Sequence, residues 1–314
     1  MTDAWHHEFV FSAVERELGR TKELAAAIHG GQVVRVARGV YRLASARVRD
    51  PERRGDDDFL ARVRAAHAVA PAPPVFAGTA AAVVWGLPVV GSWPERVTVL
   101  CDREAGGRSN RHLARTYVGF PADVVERDGV RVTTLARTVA DVARTERLES
   151  AVAMADRALR GVPGAAGWAP VTRAEIAHQL DALGRVPGIA AARAVLAFAT
   201  GLAGSPGESV SRVVIRRMGL TAPRLQHPFH DADGLVGVVD FWWPEFGVIG
   251  EFDGVAKYVR SEFTADAGAA DVVLAEKRRE DRLRALGPRM ARWGWRELTN
   301  PRELEARLRA AGVR

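Results

Sequence analysis

The residues best suited to chemistry gather between Leu235 and Gly254, in the stretch LVGVVDFWWPEFGVIGEFDG. Two apolar, strand-like runs, Val236 to Trp243 and Val248 to Phe252, flank Pro244-Glu245-Phe246-Gly247, whose Pro start and Gly end suit a hairpin loop. With that segment as the loop, facing residues have numbers with a constant sum, so Trp243 faces Val248 and Asp240 faces Glu251. Asp253 follows Glu251 on the same face, because strand side chains alternate with period two. Opposed like charges destabilise an antiparallel pair, and burying a charge without a partner costs more. The arrangement asks for a cation, and the carboxylate oxygens make the hairpin a candidate site for a hard metal.

The elements on either side must hold this hairpin. Ser205-Pro206-Gly207-Glu208 begins a helix with Val210, Val213, Val214 and Met218 on its apolar side and Gly219 after it. Ser205 with Glu208 three residues on, and Pro206 at the first helical position, is a capping-box pattern. Glu208 therefore has two compatible roles, helix cap and third acid, and the local pattern favours the cap. Beyond the hairpin, Asp271 to Leu286 reads as a helix bearing Lys277, Arg278, Arg279, Arg282 and Arg284, a cationic face suited to phosphates. The interleaved Glu276, Glu280 and Asp281 suit a solvated, ion-paired face equally well. Arg292-Trp293-Gly294-Trp295 reads as a closing strand whose tryptophans are expected in the core. His227 and His230 are read as loop residues, not as zinc ligands.

The whole chain bounds these readings. At 314 residues, 47% hydrophobic and 26% charged, it has the balance of a globular protein with room for two or three domains. A net charge of +7 and a pI near 10.3 point to an acidic partner, nucleic acid first, although an Arg-rich composition alone gives the same pI. The single Cys101 excludes an intrachain disulfide framework and a cysteine-cluster zinc site. No segment has the apolar length of a membrane span, and MTDAWHHEF lacks the regions of a signal peptide, so no membrane partner and a cytoplasmic location are expected.

At the N-terminus, helical spacing over Phe9 to Leu18 and a second helix from Thr21 to Ile28 precede two short strands, Val33 to Val36 and Val40 to Leu43, around Ala37-Arg38-Gly39. Two helices and a small basic hairpin outline a winged helix, with Arg35, Arg38 and Arg42 as phosphate contacts. The competing reading is a small helical subdomain with solvated arginines. Asp50 to Asp58 is expected as a loop before a helix from Arg53 to Ala70, and Val97 to Cys101, Ala114 to Val118 and Val130 to Thr133 as strands. Thr134 is the expected N-cap of a helix over Leu135 to Arg144, on which Arg137 and Asp141 read as a surface ion pair. Helices over Thr172 to Leu183 and Ala190 to Ala203 are expected to pack on or bridge to the C-terminal part. Boundaries follow at 1–48 (winged-helix-like), 49–160 (mixed α/β), 161–204 (hinge and helical linker) and 205–314.

Two families resemble these segments. VVRVARGVYRL (Val33 to Leu43), Ala77-Gly78-Thr79-Ala80-Ala81-Ala82 leading to Trp85-Gly86-Leu87-Pro88, and VRVTTLARTVADVA (Val130 to Ala143) resemble, in that order, the AbiEi-type antitoxins of bacterial abortive-infection systems. That resemblance implies a DNA-binding regulator with a cognate toxin as partner. Ser205 to Arg217, Leu220 to Gln226, Val239-Asp240-Phe241 and Gly250 to Gly254 with Lys257-Tyr258 resemble the PD-(D/E)XK nuclease core, and more closely its very-short-patch-repair-like (Vsr-like) branch. This implies a restriction-endonuclease-like mixed sheet flanked by helices, with Asp240 and Glu251 as Mg²⁺ or Mn²⁺ ligands and Glu208 as an accessory one. Asp253 stands at the position the general pattern gives to lysine, with Lys257 as the nearest substitute, completing the catalytic set Glu208, Asp240, Glu251, Asp253 and Lys257. The expectation is therefore an α/β (α+β) protein acting on DNA as a metal-dependent endonuclease. The alternative is a non-catalytic DNA-binding regulator or antitoxin.

Overall fold

Asp50-Pro51 shows how local chemistry sets an element here. In the computed structural model, which describes residues 5–102, 109–163, 167–254 and 269–314, the Asp50 carboxylate accepts the Glu52 N–H at 2.9 Å and Pro51 takes the first helical position. Residues 51–58, expected as loop, are therefore the first turns of helix α3. The chain divides into two units, 1–198 and 199–314, each a mixture of helices and sheet, so the protein is α+β.

The first unit begins with β1 (Phe9–Phe11), α1 (Ser12–Glu17), α2 (Thr21–His29), β2 (Val33–Ala37) and β3 (Val40–Leu43). These strands form a sheet in the order β1-β3-β2, all antiparallel. Next come α3 (Pro51–Ala68), β4 (Val75–Phe76), α4 (Gly78–Val84), β5 (Val97–Leu100), β6 (Leu113–Thr116), β7 (Val124–Arg127), β8 (Val130–Thr133), α5 (Leu135–Thr145), α6 (Leu148–Arg160), α7 (Arg173–Leu183) and α8 (Ile189–Phe198). The second sheet runs β6-β5-β4-β8-β7. One core, including Phe59, Phe76, Val99 and Val132, lies under both sheets and α3. Every residue of α4 is buried, and α5 packs against α4, α6, α7 and α8. α7 and α8 also pack on each other.

Two arginines are corrected by their surroundings. Strand alternation puts Arg42 on the inner side of β3 with fully buried Val40, and Arg42 is 5% exposed. Its guanidinium donates to Asp57 Oδ2 at 2.6 Å, Glu8 Oε2 at 3.0 Å and the Ala46 carbonyl at 2.8 Å. It ties β3 to α3 and to the turn before β1, and is not a phosphate contact. Arg137 and Asp141 are 4% and 6% exposed, so this is no surface pair. Arg137 Nε donates to Asp141 Oδ2 at 3.0 Å, while Nη1 and Nη2 donate to the carbonyls of Gly119 and Val118 at 3.0 and 2.7 Å. Gly119, at φ +67°, has no room for a Cβ, which would meet Leu183 and the Arg137 guanidinium within 2.8 Å.

The second unit holds α9 (Pro206–Arg217), β9 (Arg224–Asp231), β10 (Gly234–Trp243), β11 (Val248–Phe252), α10 (Ala269–Ala285), β12 (Arg289–Trp293), α11 (Trp295–Thr299) and α12 (Pro301–Ala311). Its sheet runs β12-β11-β10-β9, antiparallel except for the β11–β12 pair. His227 and His230 lie within β9, not in a loop, and Pro228 is tolerated there because β9 is an edge strand. Trp293 is 1% exposed and donates its indole N–H to Ser211 Oγ at 2.8 Å, whereas Trp295, on α11, is 39% exposed. No helix among the described residues is long and apolar enough to cross a membrane.

Burial raises the Asp141 pKa, and Arg137 opposes that rise. The native carboxyl therefore binds its proton more tightly than the unfolded one does, and stability falls as pH climbs through the interval above the ordinary aspartate range. Arg137→Met strands this charge and should cost about 3–5 kcal/mol at pH 7, against about 0–1 kcal/mol for a surface pair. Urea denaturation should show the deficit shrinking at pH 4, where Asp141 can be neutral.

Candidate metal and nucleic-acid site

The hairpin closes as its sequence predicts. Phe246 and Gly247 donate their N–H groups back to Trp243 and Pro244, and Gly247 takes φ +58°. The β10–β11 register is Trp243↔Val248, Trp242↔Ile249 and Phe241↔Gly250; one further step brings Asp240 opposite Glu251. There the side chain takes over from the ladder, and Asp240 Oδ2 accepts the Phe252 N–H at 2.9 Å. On the other side of β10, the pairs Phe241↔Leu225 and Val239↔His227 bracket Asp240 and Gln226. On the far side of β11, Glu251 pairs with Arg292. A polar row, Gln226, Asp240, Glu251 and Arg292, thus crosses all four strands.

Two glycines bring Glu208 to this row. A Cβ on Gly207 would lie 2.0 Å from the Phe252 ring, and one on Gly250 would lie 2.6 Å from Trp293 and 2.8 Å from Trp243. Only bare backbone lets the start of α9 close on β11 and the tryptophans stack over it. Ser205 caps α9, its Oγ accepting the Glu208 N–H at 3.2 Å. The carboxylate accepts from Ser205 Oγ at 2.9 Å and from the Gly204 N–H at 2.7 Å. It also accepts the Gln226 side-chain amide at 2.9 Å, and the same Nε2 lies 3.4 Å from Asp240 Oδ1. The cap residue and the acid site are thus joined directly, through the Ser205 hydroxyl and the Glu208 carboxylate.

The cation that the opposed acids require is partly supplied from within. Arg279 Nη2 donates to Glu251 Oε1 and Oε2 at 3.1 and 3.0 Å, and Arg292 stands 3.9 Å away. Glu276, on the turn before Arg279, accepts from Arg279 Nε and Nη2, both at 2.9 Å. Burial pushes the Glu251 pKa above the ordinary glutamate range, Arg279 pulls it down, and the charge of Asp240 pushes it up again. The Arg279 pKa is raised, first by its bond to Glu276 and then by Glu251, against the opposing effect of burial.

The remaining sequence-predicted residues divide. Asp253 is half-buried, and its N–H donates to the Trp293 carbonyl at 2.8 Å. Lys257 lies outside the described residues. Arg282 makes a two-nitrogen contact with Asp231 at 2.7 and 2.6 Å. Lys277 and Arg278 are exposed on α10, as are Arg35 and Arg38 on the first unit's hairpin. Sequence reasoning assigned no role to Gln226 or Arg292. Counting pairs back from the β9–β10 turn would place Leu225 opposite Asp240, because the register shifts by one between Leu235 and Gly237, and Arg292 faces Glu251 across a parallel pair whose register no turn sets.

Among the described residues no three His, Cys, Asp or Glu side chains converge closely enough to hold a metal ion between them. The donors that do face each other, Asp240 and Glu251, still fit Mg²⁺, which commonly takes one or two carboxylates and keeps several waters. Their oxygens are hard, and their mutual repulsion is what a divalent cation relieves.

Fold and site together define an α+β protein whose C-terminal unit carries a buried acid pair across a four-stranded mixed sheet. No family model matches the sequence. The chain is 31% identical over 274 residues to the uncharacterized proteins Rv2248 and MT2308 from two strains of Mycobacterium tuberculosis, covering 85% of this chain and 87% of each relative. It belongs to the family of these mycobacterial proteins.

Arg279→Met leaves Glu251 facing Asp240 with only the more distant Arg292. The variant should lose about 1.5–3 kcal/mol, the range for hydrogen bonds to charged groups. Adding Glu251→Gln should return much of it. Thermal unfolding of the single and double variants measures both, and a double variant no more stable than the single would show that Arg279 acts elsewhere.

Proposed function

We propose that the C-terminal unit is a nuclease-fold domain that hydrolyses phosphodiester bonds in DNA with a divalent cation held by Asp240 and Glu251. The observation carrying this is the placement of those two acids on adjacent strands, with Glu208 of α9 joined to Asp240 through Gln226. The mixed four-stranded sheet of this unit, with helices before and between its strands, supports it, since a mixed sheet flanked by helices is what the PD-(D/E)XK resemblance implies. Bound there, Mg²⁺ or Mn²⁺ would polarise a phosphoryl oxygen and lower the pKa of a coordinated water. Exposed Lys277 and Arg278 on α10, and Arg35 and Arg38 on the first unit, would meet the DNA backbone. A cytoplasmic bacterial protein of a defence or toxin–antitoxin context, with a cognate toxin as a further partner, fits the AbiEi-like part.

A second reading, DNA binding without cleavage, is favoured by one observation. Arg279 already contacts both oxygens of Glu251, so the fold can neutralise its acids with no metal.

The two readings separate on supercoiled plasmid with Mg²⁺ or Mn²⁺. The nuclease reading expects nicking that Asp240→Asn abolishes, together with loss of Mn²⁺ binding by calorimetry; nicking unchanged in that variant removes Asp240 from the reaction. Binding without cleavage expects metal-independent affinity that falls steeply with salt. Replacing both Arg35 and Arg38 with Ala should then lower the log–log salt slope by about 2, roughly one per lost phosphate contact.

A further inference from the structure

We propose that Gln226 is a positioning residue that locks Glu208 and Asp240 into one acidic edge; its functional consequence rests on the metal-site reading above. Gln226 lies in β9 between the residues paired with Phe241 and Val239, hence beside Asp240. Its backbone sits at φ +49°, a left-handed conformation that a residue with a full side chain rarely adopts, least of all within a strand. Such conformations carry a free-energy cost, persist only where the surroundings over-determine them, and cluster at functional sites.

The bend brings a two-way donation. Gln226 Nε2 carries two hydrogens, and it lies 2.9 Å from Glu208 Oε2 and 3.4 Å from Asp240 Oδ1. Both acceptors are fixed from behind: Glu208 by the Gly204 N–H and Ser205 Oγ, Asp240 by the Phe252 N–H through its other oxygen. Gln226 is thus the link between the cap of α9 and the end of the β10–β11 ladder. Only an amide suits the place, because Gln226→Glu would set a third carboxylate between two others. An exposed polar residue with no role would leave its backbone in the ordinary strand region and its side chain in water.

The experiment uses the full chain with Mn²⁺ as the probe. Gln226→Gly removes the bridge but tolerates the left-handed backbone, so relief of strain works against any loss of Tm. The positioning role expects Tm to be kept and Mn²⁺ affinity to fall 10–100-fold, the usual loss when a group that orients a metal ligand is removed. Affinity equal to wild type in Gln226→Gly, with binding lost in Asp240→Asn, overturns it. Should Gln226→Gly fail to fold, Gln226→Asn, which also tolerates this backbone, takes its place. A metal-free double-mutant cycle of Gln226→Gly with Glu208→Ala reads the bridge separately. Non-additive Tm shifts support the bridge even if wild type binds no Mn²⁺, an outcome that defeats the metal reading alone; additive shifts overturn the bridge.

Discussion

Asp240 and Glu251 face each other across a buried antiparallel pair, and most of the C-terminal unit is built around making that tolerable. Side chains opposed in this way have Cβ atoms about 4.5–5.5 Å apart. At an effective dielectric constant of about 20, two like charges at roughly 5 Å repel by about 3 kcal/mol, before any desolvation of either carboxylate is counted. That exceeds what a surface ion pair contributes, about 0–1 kcal/mol, so neutralising groups must come from the interior. They come from both flanks: Arg279 of α10 on Glu251, and the Gln226 amide and Phe252 N–H on Asp240. The glycines at 207 and 250 follow from the same demand, since they let α9 and the tryptophans close over the row without a clash.

The first unit meets its buried charges in the same manner. Arg42 pairs with Asp57 and Glu8 and Arg137 with Asp141, and each spends further donors on backbone carbonyls. A planar guanidinium can do this because it presents five donors in a fixed fork. The basic excess of the sequence therefore overstates the charge available to phosphate. Arg42, Arg137, Arg279 and Arg282 are committed to acids of their own unit, while Arg35, Arg38, Lys277 and Arg278 are exposed.

Where sequence reading succeeded, a local rule was strong enough to act alone. Pro244 and Gly247 fixed the loop, the loop fixed the register, and the register placed the acids. Where it failed, a usable signal was overlooked or none existed. Arg42 follows Val40 by two residues, so the alternation that buries one buries the other. Arg137 and Asp141 stand on a helix whose other positions from Leu135 to Ala143 are Leu, Ala, Thr and Val; a helix without a polar face is one to bury on all sides. The expected loop over Asp50 to Asp58 overlooked an N-cap and Pro start plain in Asp50-Pro51. Gln226 is different in kind, because its positive φ is imposed by strands and a helix distant in sequence and leaves no mark in local pattern.

The cleaving and the binding-only readings do not differ in whether the acids are neutralised. They differ in which cation does it, and the donor geometry bears on that choice. A carboxylate offers about four lone-pair sites, and Arg279 reaches both Glu251 oxygens with a single nitrogen, Nη2, while its Nε is turned to Glu276. Each Glu251 oxygen keeps a further lone pair, and Asp240 presents Oδ1 toward Gln226 with Oδ2 bound to backbone. An arginine placed in this way fixes the orientation of Glu251 without using up its oxygens. It can thus steady the acid pair when no metal is bound and still leave donor capacity for a divalent cation. The two modes of neutralisation are compatible in one site, so the presence of Arg279 does not by itself argue against hydrolysis.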